Sequence, residues 1–82
     1  MKEILVTIYV LSLQQDFDMF IPIKFNMNEA IDLIQDTIVN LSNGNYQKVE
    51  HPLLFTDSGN VVNNNNNVKY SGLKNGSKVI LK

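Results

Sequence analysis

The 82-residue sequence contains no cysteine and no arginine. Without cysteine it cannot form a disulfide framework, a thiolate nucleophile or a cysteine metal site, and a reducing compartment suits such a chain. Lysine supplies all seven basic residues, and the net charge is −1. The chain therefore lacks the guanidinium fork that binds phosphates and base edges, and it lacks a positive field that attracts nucleic acid. We expect no nucleic-acid partner.

Long apolar runs are also missing. No run approaches the ~20 residues that a bilayer-spanning helix needs. Glu3 stands where a secretory signal would be positively charged. We therefore expect a cytoplasmic protein with no direct membrane insertion. A chain of 82 residues has room for one core and one working surface, so we expect a single domain over residues 1–82.

Side chains that could carry chemistry are few and isolated. His51 is the single histidine, and it has no nucleophile or orienting acid at a recognisable spacing. Asp32 and Asp36 lie one helical turn apart, but a divalent cation between them would lack most of its oxygen ligands. The glycines occur singly, which excludes a phosphate-cradling loop. We expect no enzyme activity, no metal, no cofactor and no small-molecule substrate.

The first part of the chain has the pattern of two adjacent strands. Residues 3–11 are rich in β-branched and aromatic side chains and apolar at both parities, which is typical of a central strand. The polar residues 12–16 are few enough for a hairpin, and Phe17, Met19 and Ile21 then recur at period two and should face the core. Because Pro22 cannot donate to a ladder, we expect the second strand to lie at a sheet edge.

A helix is predicted to begin after Asn26, because Asn26 and Glu29 match a capping box. Apolar side chains then recur at helical spacing. The residues predicted to face the core are Met27, Ala30, Ile31, Ile34, Ile38 and Leu41. The residues predicted to face solvent are Asn28, Asp32, Gln35, Asp36 and Asn40. Asn43 and Gly44 tolerate the left-handed conformation that follows a last helical turn, so the helix should end near Ser42.

The remaining segments predict a strand over residues 52–56, a turn at 57–60, a short strand at Val61–Val62 and a closing strand from about Ser77 to Lys82. The first and last strands should pair in parallel, because a helix and a long connection lie between them. An α+β fold in the order β-β-α-β-β-β, with one helix packed across a mixed sheet of four or five strands, would bury the apolar sides of both the helix and the sheet. The tract Asn63–Asn67 could pair between molecules or form a solvated loop, and we expect the loop.

This order of elements resembles the ubiquitin-like β-grasp fold. Leu53-Leu54-Phe55 followed by a turn is similar to the third strand of such domains, and residues 70–81 are similar to their final turn and strand. Residues 17–22, Phe-Asp-Met-Phe-Ile-Pro, are similar to the second strand of the YukD/EsaB family, small ubiquitin-like proteins encoded with bacterial type VII secretion systems. The asparagine tract departs from that family, in which a short charged turn is usual.

In the β-grasp arrangement the first, last and third strands are adjacent, so strand parity predicts a surface on the sheet face opposite the helix. With residues 4, 6, 8 and 10 facing the helix, and with Leu53, Phe55, Val79 and Leu81 in the core, the intervening side chains would point outward. The candidate protein-binding residues are Leu5, Thr7, Tyr9, Leu54 and Ile80. A contiguous apolar patch usually marks a partner site. The alternatives are scattered apolar residues, or a one-residue register error that would turn these side chains inward.

The resemblance implies a non-conjugated ubiquitin-like interaction module. Its place would be as an accessory or regulatory component of a bacterial type VII secretion system, peripheral to the membrane complex, with a protein partner such as a membrane secretion ATPase. Carrier and tag proteins need a flexible Gly-Gly tail, whereas Val79 to Lys82 forms a predicted strand. Two alternatives stay open: a sulfur-carrier or protein-tag β-grasp protein lacking that tail, and a structural subunit that completes a sheet through the edge around Phe20 and Pro22.

Overall fold

The computed structural model describes residues 2–82, with elements in the order strand, strand, helix, strand, strand. They are β1 (Glu3–Val10), β2 (Gln15–Pro22), α1 (Met27–Leu41), β3 (Leu54–Thr56) and β4 (Ser77–Leu81), with a 3₁₀ turn at Val68–Tyr70 before β4. The sheet order is β2-β1-β4-β3, in which β1 pairs parallel with β4 and all other pairs are antiparallel. The α+β class, the parallel pairing and the edge position of β2 are confirmed.

Alternation along β1 and β2 directs one side of each strand toward α1. Val6 and Ile8 of β1 are completely buried, and Met19 and Ile21 of β2 lie beside them in the same core. Phe17 is partly buried and packs against this cluster. The predicted inward-facing residues of both strands are therefore confirmed, since the more buried positions recur at every second residue of each strand.

Both ends of α1 follow from local side-chain chemistry. Asn26 Oδ1 accepts a hydrogen bond from Glu29 N at 2.8 Å, and Glu29 Oε1 accepts one from Asn26 N at 3.1 Å. At the other end Ser42 is the C-cap, and Asn43 and Gly44 both have positive φ, 56° and 81°. Gly44 N donates to a carbonyl of the last turn, which terminates the helix. The predicted helix boundaries are confirmed.

Replacing Asn26 by Ala should destabilise the domain by about 1 kcal/mol, because Glu29 N then loses its side-chain acceptor. Urea unfolding followed by circular dichroism measures this change. Asn28→Ala is the matched control, since Asn28 is an exposed residue of the same turn and takes no part in the capping box. An equal loss of stability in both variants would contradict the capping role.

Two residues of α1 face the opposite way from their predictions. Leu41 is 56% exposed, because it lies in the last turn beside the C-cap, and Val39 packs against the core instead. Gln35, predicted to face solvent, is only 3% exposed. Hydrophobic periodicity misassigns such a residue because a polar side chain can be buried wherever hydrogen-bond partners satisfy it.

The third strand is shorter than predicted and has the opposite parity. Leu54 is 1% exposed and pairs with Leu81, whereas Leu53 is 46% exposed and precedes the strand. The prediction that Leu54 points outward and that Leu53 and Phe55 are core residues is therefore wrong. Three consecutive large apolar residues carry no alternation, so their parity is set by pairing with β4 and not by the local sequence.

Residues 57–76 connect β3 to β4 mostly by turns. The predicted short strand at Val61–Val62 is only an isolated bridge between Val61 and Phe55, so the sheet has four strands. The tract Asn63–Asn67 is an exposed loop, as predicted, and the carbonyl of Asn66 accepts from Met27 N at 3.0 Å. This bond satisfies one of the free amides at the start of α1. Within residues 2–82 no helix has the length and hydropathy that a membrane crossing requires.

Candidate protein-interaction surface

The sheet face opposite α1 carries four of the candidate residues: Leu5, Thr7, Tyr9 and Ile80. All four are half-buried, while their neighbours along each strand point into the core. Leu54 is the exception, because it belongs to that core. Four of the five residues chosen from the sequence therefore share one face, and their part in binding a protein stays a prediction.

Strand pairing aligns three large apolar side chains in one row across this face. Tyr9 on β1 is the register partner of Ile80 on β4, and Ile80 is the partner of Phe55 on β3. Neighbouring strands lie about 4.8 Å apart, so side chains in such a row contact each other. The row thus forms a continuous apolar strip from β1 to β3.

A second row extends the strip beyond the strand ends. Leu11 N donates to the carbonyl of Leu81 at 3.1 Å, and Leu53 and Lys82 exchange backbone hydrogen bonds of 3.0 and 3.4 Å. Leu11 and Leu53 thereby flank Lys82, and each is 46% exposed. We call the combined surface of the two rows the apolar end of the sheet; it comprises Tyr9, Leu11, Leu53, Phe55 and Ile80.

A polar row separates the apolar end from Leu5. Thr7 lies between Asp18 on β2 and Lys78 on β4, and Thr7 Oγ1 donates to Asp18 Oδ1 at 2.6 Å. Leu5 lies beyond this row and pairs with Phe20. Successive rows are about 7 Å apart along a strand, so Leu5 belongs to a separate, smaller apolar spot.

The charges on this face are distributed unevenly between its strands. β4 contributes Lys78 and is followed by Lys82, whose Nζ lies 4.7 Å from the centre of the Phe55 ring, a cation–π distance. β2 contributes Asp16 and Asp18, and Lys78 Nζ is 3.7 Å from Asp16. Lys82 therefore lies within the second row of the apolar end, between Leu11 and Leu53, and Asp16 of β2 adjoins Tyr9 at the end of the first row.

Sequence reasoning missed Phe55 and Leu53 as members of this surface, because both were assigned to the core. The signal that could have placed them is the pairing of β3 with β4. Lys82 must face outward if Leu81 is buried, and its partner Leu53 must then face outward with it.

A groove of about 490 Å³ lies on the other side of the molecule, between α1 and residues 48–53. Lys48 spans its wall, with Nζ 2.9 Å from both Asp32 and Asp36. The hydrogen bonds that the Lys48 ammonium donates to Asp36 and Asp32 raise the pKa of Lys48 above its ordinary value. His51 lines the groove and is exposed. Among residues 2–82 no three His, Cys, Asp or Glu side chains come close enough to hold a metal ion.

The buried Gln35 anchors this segment to α1. Its Oε1 accepts from the Tyr46 hydroxyl at 2.7 Å and from Val49 N at 2.9 Å, and its Nε2 donates to the carbonyl of Val49 at 3.3 Å. Burial raises the pKa of the Tyr46 phenol above its ordinary value, and the nearby Lys48 ammonium partly opposes this. The hydrogen bonds of Gln35 and the ion pairs of Lys48 thus attach residues 46–49 to α1 along one wall of the groove.

No family model and no curated protein matches this sequence. Among solved structures, the chain resembles the ubiquitin-like domain of the Mycobacterium tuberculosis type VII secretion protein EccD1, with a TM-score of 0.73 and 16% identity over 99% of this chain and 98% of that one. This chain has the ubiquitin-like fold. A molecular mimic of SUMO that promotes DNA repair also has this fold, with a TM-score of 0.75 and 20% identity over 100% of this chain and 92% of that one.

The ubiquitin-like chain is also similar to part of a larger protein. It matches a chain of the MycP5-free ESX-5 inner membrane complex with a TM-score of 0.69 and 6% identity, and it spans 21% of that chain. The structures that it resembles thus include ubiquitin-like domains of type VII secretion components. Likenesses at these identities establish the fold, and membership of the YukD/EsaB family stays a prediction.

Proposed function

We propose that this ubiquitin-like chain is a non-enzymatic, non-conjugated protein-interaction module of a bacterial type VII secretion system. Its role is that of an accessory or regulatory component in the cytoplasm, peripheral to the membrane complex. The observation that carries the proposal is the end-to-end likeness to the ubiquitin-like domain of EccD1, which covers 99% of this chain and 98% of that domain. A component of the membrane assembly, such as a secretion ATPase, is the proposed partner.

The apolar end of the sheet is the proposed docking surface. It combines half-buried Tyr9, Phe55 and Ile80 with the more exposed Leu11 and Leu53. A contiguous apolar patch of this kind usually serves recognition. Each side chain that a partner covers completely could contribute about 1.5–3 kcal/mol before ordering costs are subtracted. Lys82, which lies between Leu11 and Leu53, favours a partner that places a carboxylate against it within an apolar surface.

Substitution of two residues of the apolar end should strongly reduce partner recovery without unfolding the chain. The variant is Leu11→Asp/Leu53→Asp, because both leucines are 46% exposed and tolerate polar replacement. Affinity capture from detergent-solubilised membranes of the native host, with quantitative mass spectrometry, should recover type VII components with the wild type. We expect at least about tenfold lower recovery with the variant, equivalent to about 1.4 kcal/mol.

The matched control is Leu41→Asp/Val49→Asp, which adds the same charge at leucine and valine positions that are 56% and 47% exposed elsewhere on the molecule. The control should recover the same components as the wild type. Equal recovery by both double variants would rule out docking through the sheet face. Recovery of no secretion component by the wild type would remove the type VII assignment, and a covalently conjugated or sulfur-loaded form of the protein from its host would favour the carrier alternative.

A further inference from the structure

The outer edge of β2 presents unpaired backbone groups. β2 is the last strand on its side of the sheet. Ile23 N donates to the carbonyl of Lys2, and this pair continues the register in which Ile21 is the partner of Ile4. Backbone bonds in an antiparallel pair alternate, so odd-numbered residues of β2 bond to β1 and even-numbered residues point outward. Leu5 and Leu11, odd-numbered residues of β1, accordingly bond toward β4.

The outward backbone groups belong to Asp16, Asp18 and Phe20. Among residues 2–82 no backbone hydrogen bond beyond the strand ladders involves any of the three. Pro22 is the next outward residue and has no N–H, so the free edge ends there. Because these three residues alternate with the core-facing ones, their side chains lie on the open face of the sheet, and all three are exposed. The same three residues therefore supply both the unpaired backbone N–H and C=O groups of the edge and its exposed side chains.

The side chains of this edge determine which strand can be added to it. A second copy of the chain is disfavoured, because the antiparallel register that pairs all three outward residues with those of the other copy places Asp18 opposite Asp18, and like charges directly opposite are destabilising. β2 itself contains two carboxylates and no basic residue. Thr7 occupies one oxygen of Asp18, and Lys78 lies 3.7 Å from an Asp16 that is half exposed, so both carboxylates remain accessible from the edge.

We propose that the β2 edge accepts an extended segment of a partner protein in which an apolar residue is followed, at intervals of two, by two basic residues. Main-chain hydrogen bonds to Asp16, Asp18 and Phe20 would add this segment to the sheet as a fifth strand. The two basic side chains lie opposite the carboxylates, and the apolar side chain lies opposite Phe20. The proposal adds a second binding surface to the docking role, and it does not depend on the type VII assignment or on the apolar end.

The test uses the full chain and the end-blocked peptide Val-Thr-Lys-Thr-Lys, which aligns antiparallel with Phe20, Asp18 and Asp16. Amide hydrogen exchange measured by NMR provides the readout. In the free chain the amides of Asp16, Asp18 and Phe20 should exchange quickly, and those of Phe17 and Met19 slowly. With the peptide at ten times its dissociation constant, exchange at the three outward amides should slow about tenfold. The inward amides are the internal control.

Two further peptides separate strand addition from simple charge attraction. The first carries a methyl group on the backbone nitrogen of both lysines, which keeps the side-chain charges and removes two main-chain donors. This peptide should fail to protect the three outward amides. Val-Thr-Glu-Thr-Glu should bind at least about tenfold more weakly than the lysine peptide. Asp16→Lys/Asp18→Lys should reverse that preference, whereas Glu50→Lys/Asp57→Lys, with the same change of charge at exposed positions elsewhere, should retain it.

Several results would overturn the proposal. They are unchanged exchange at the three outward amides, equal binding of the N-methylated peptide, or a preference for the glutamate peptide by the wild type. Self-association of the wild type with protection of the same amides would assign the edge to a second copy instead. None of these results bears on partner recovery through the apolar end, so the two proposals can fail separately.

Discussion

Leu54→Asp is expected to abolish cooperative folding. Leu54 is 1% exposed and pairs with the equally buried Leu81 at the edge of the core. Removing a buried leucine side chain typically costs about 2–5 kcal/mol, and burying an unpaired carboxylate adds several kcal/mol more. Small domains are stable by only about 5–15 kcal/mol, so the sum approaches or exceeds the total. Circular dichroism should show no cooperative unfolding transition for this variant, either on heating or in urea at 25 °C.

The neighbouring substitution Leu53→Asp is the control, because the chemical change is identical and the side chain is 46% exposed. We expect it to change the free energy of unfolding by no more than about 1 kcal/mol. Similar unfolding curves for Leu54→Asp and the wild type would mean that β3 is shifted by one residue. In that case Leu53 and Phe55 would be core residues, and the apolar end would lose two of its members.

The contrast between β3 and the first two strands shows what local sequence can determine. β1 and β2 each contain eight residues, which is long enough for polar residues to mark the outward parity: Glu3 and Thr7 in β1, and Asp16 and Asp18 in β2. β3 contains three residues and follows Leu53, so its apolar run fits either parity. Only the pairing of Leu54 with Leu81, 27 residues later in the sequence, selects one. Such long-range information is absent from a local pattern.

The candidate surface was predictable only as far as parity within a single strand determines which side chains point outward. Tyr9 and Ile80 were placed on one face by parity within their own strands, and the structure brings them into one row. The polar row through Thr7 was not predictable from parity, because it depends on the cross-strand registers that bring Asp18 and Lys78 beside it. Those registers divide the open face into an apolar end and a separate spot at Leu5.

Gln35→Leu is expected to lower stability substantially, although it replaces a polar core residue by an apolar one of similar size. The substitution removes the acceptor of the Tyr46 hydroxyl and of Val49 N. Leaving a buried polar group unsatisfied costs about 1–3 kcal/mol, so the loss of both bonds should cost about 2–6 kcal/mol. For a domain of this size the melting temperature should fall by at least about 10 °C. Differential scanning calorimetry measures both quantities.

A double-mutant cycle with Tyr46→Phe tests whether the loss comes from the hydrogen bond. The phenylalanine ring introduced by this substitution carries no hydroxyl and needs no acceptor. Gln35→Leu should therefore cost less in the Tyr46→Phe background, by about 1 kcal/mol or more. Equal costs in both backgrounds would contradict the assignment and point to packing alone.

The pH dependence of stability provides an independent check on Tyr46. Burial raises the pKa of its phenol above the ordinary value of 10.0, so the unfolded chain ionises before the folded one. This contribution is complete below pH 10.0 and should decrease as the pH rises through the higher, folded-state pKa. Ionisation also removes the proton that Tyr46 donates to Gln35. Tyr46→Phe should therefore flatten the decline in stability above pH 10.0, and an unchanged decline would show that Tyr46 is not buried against Gln35.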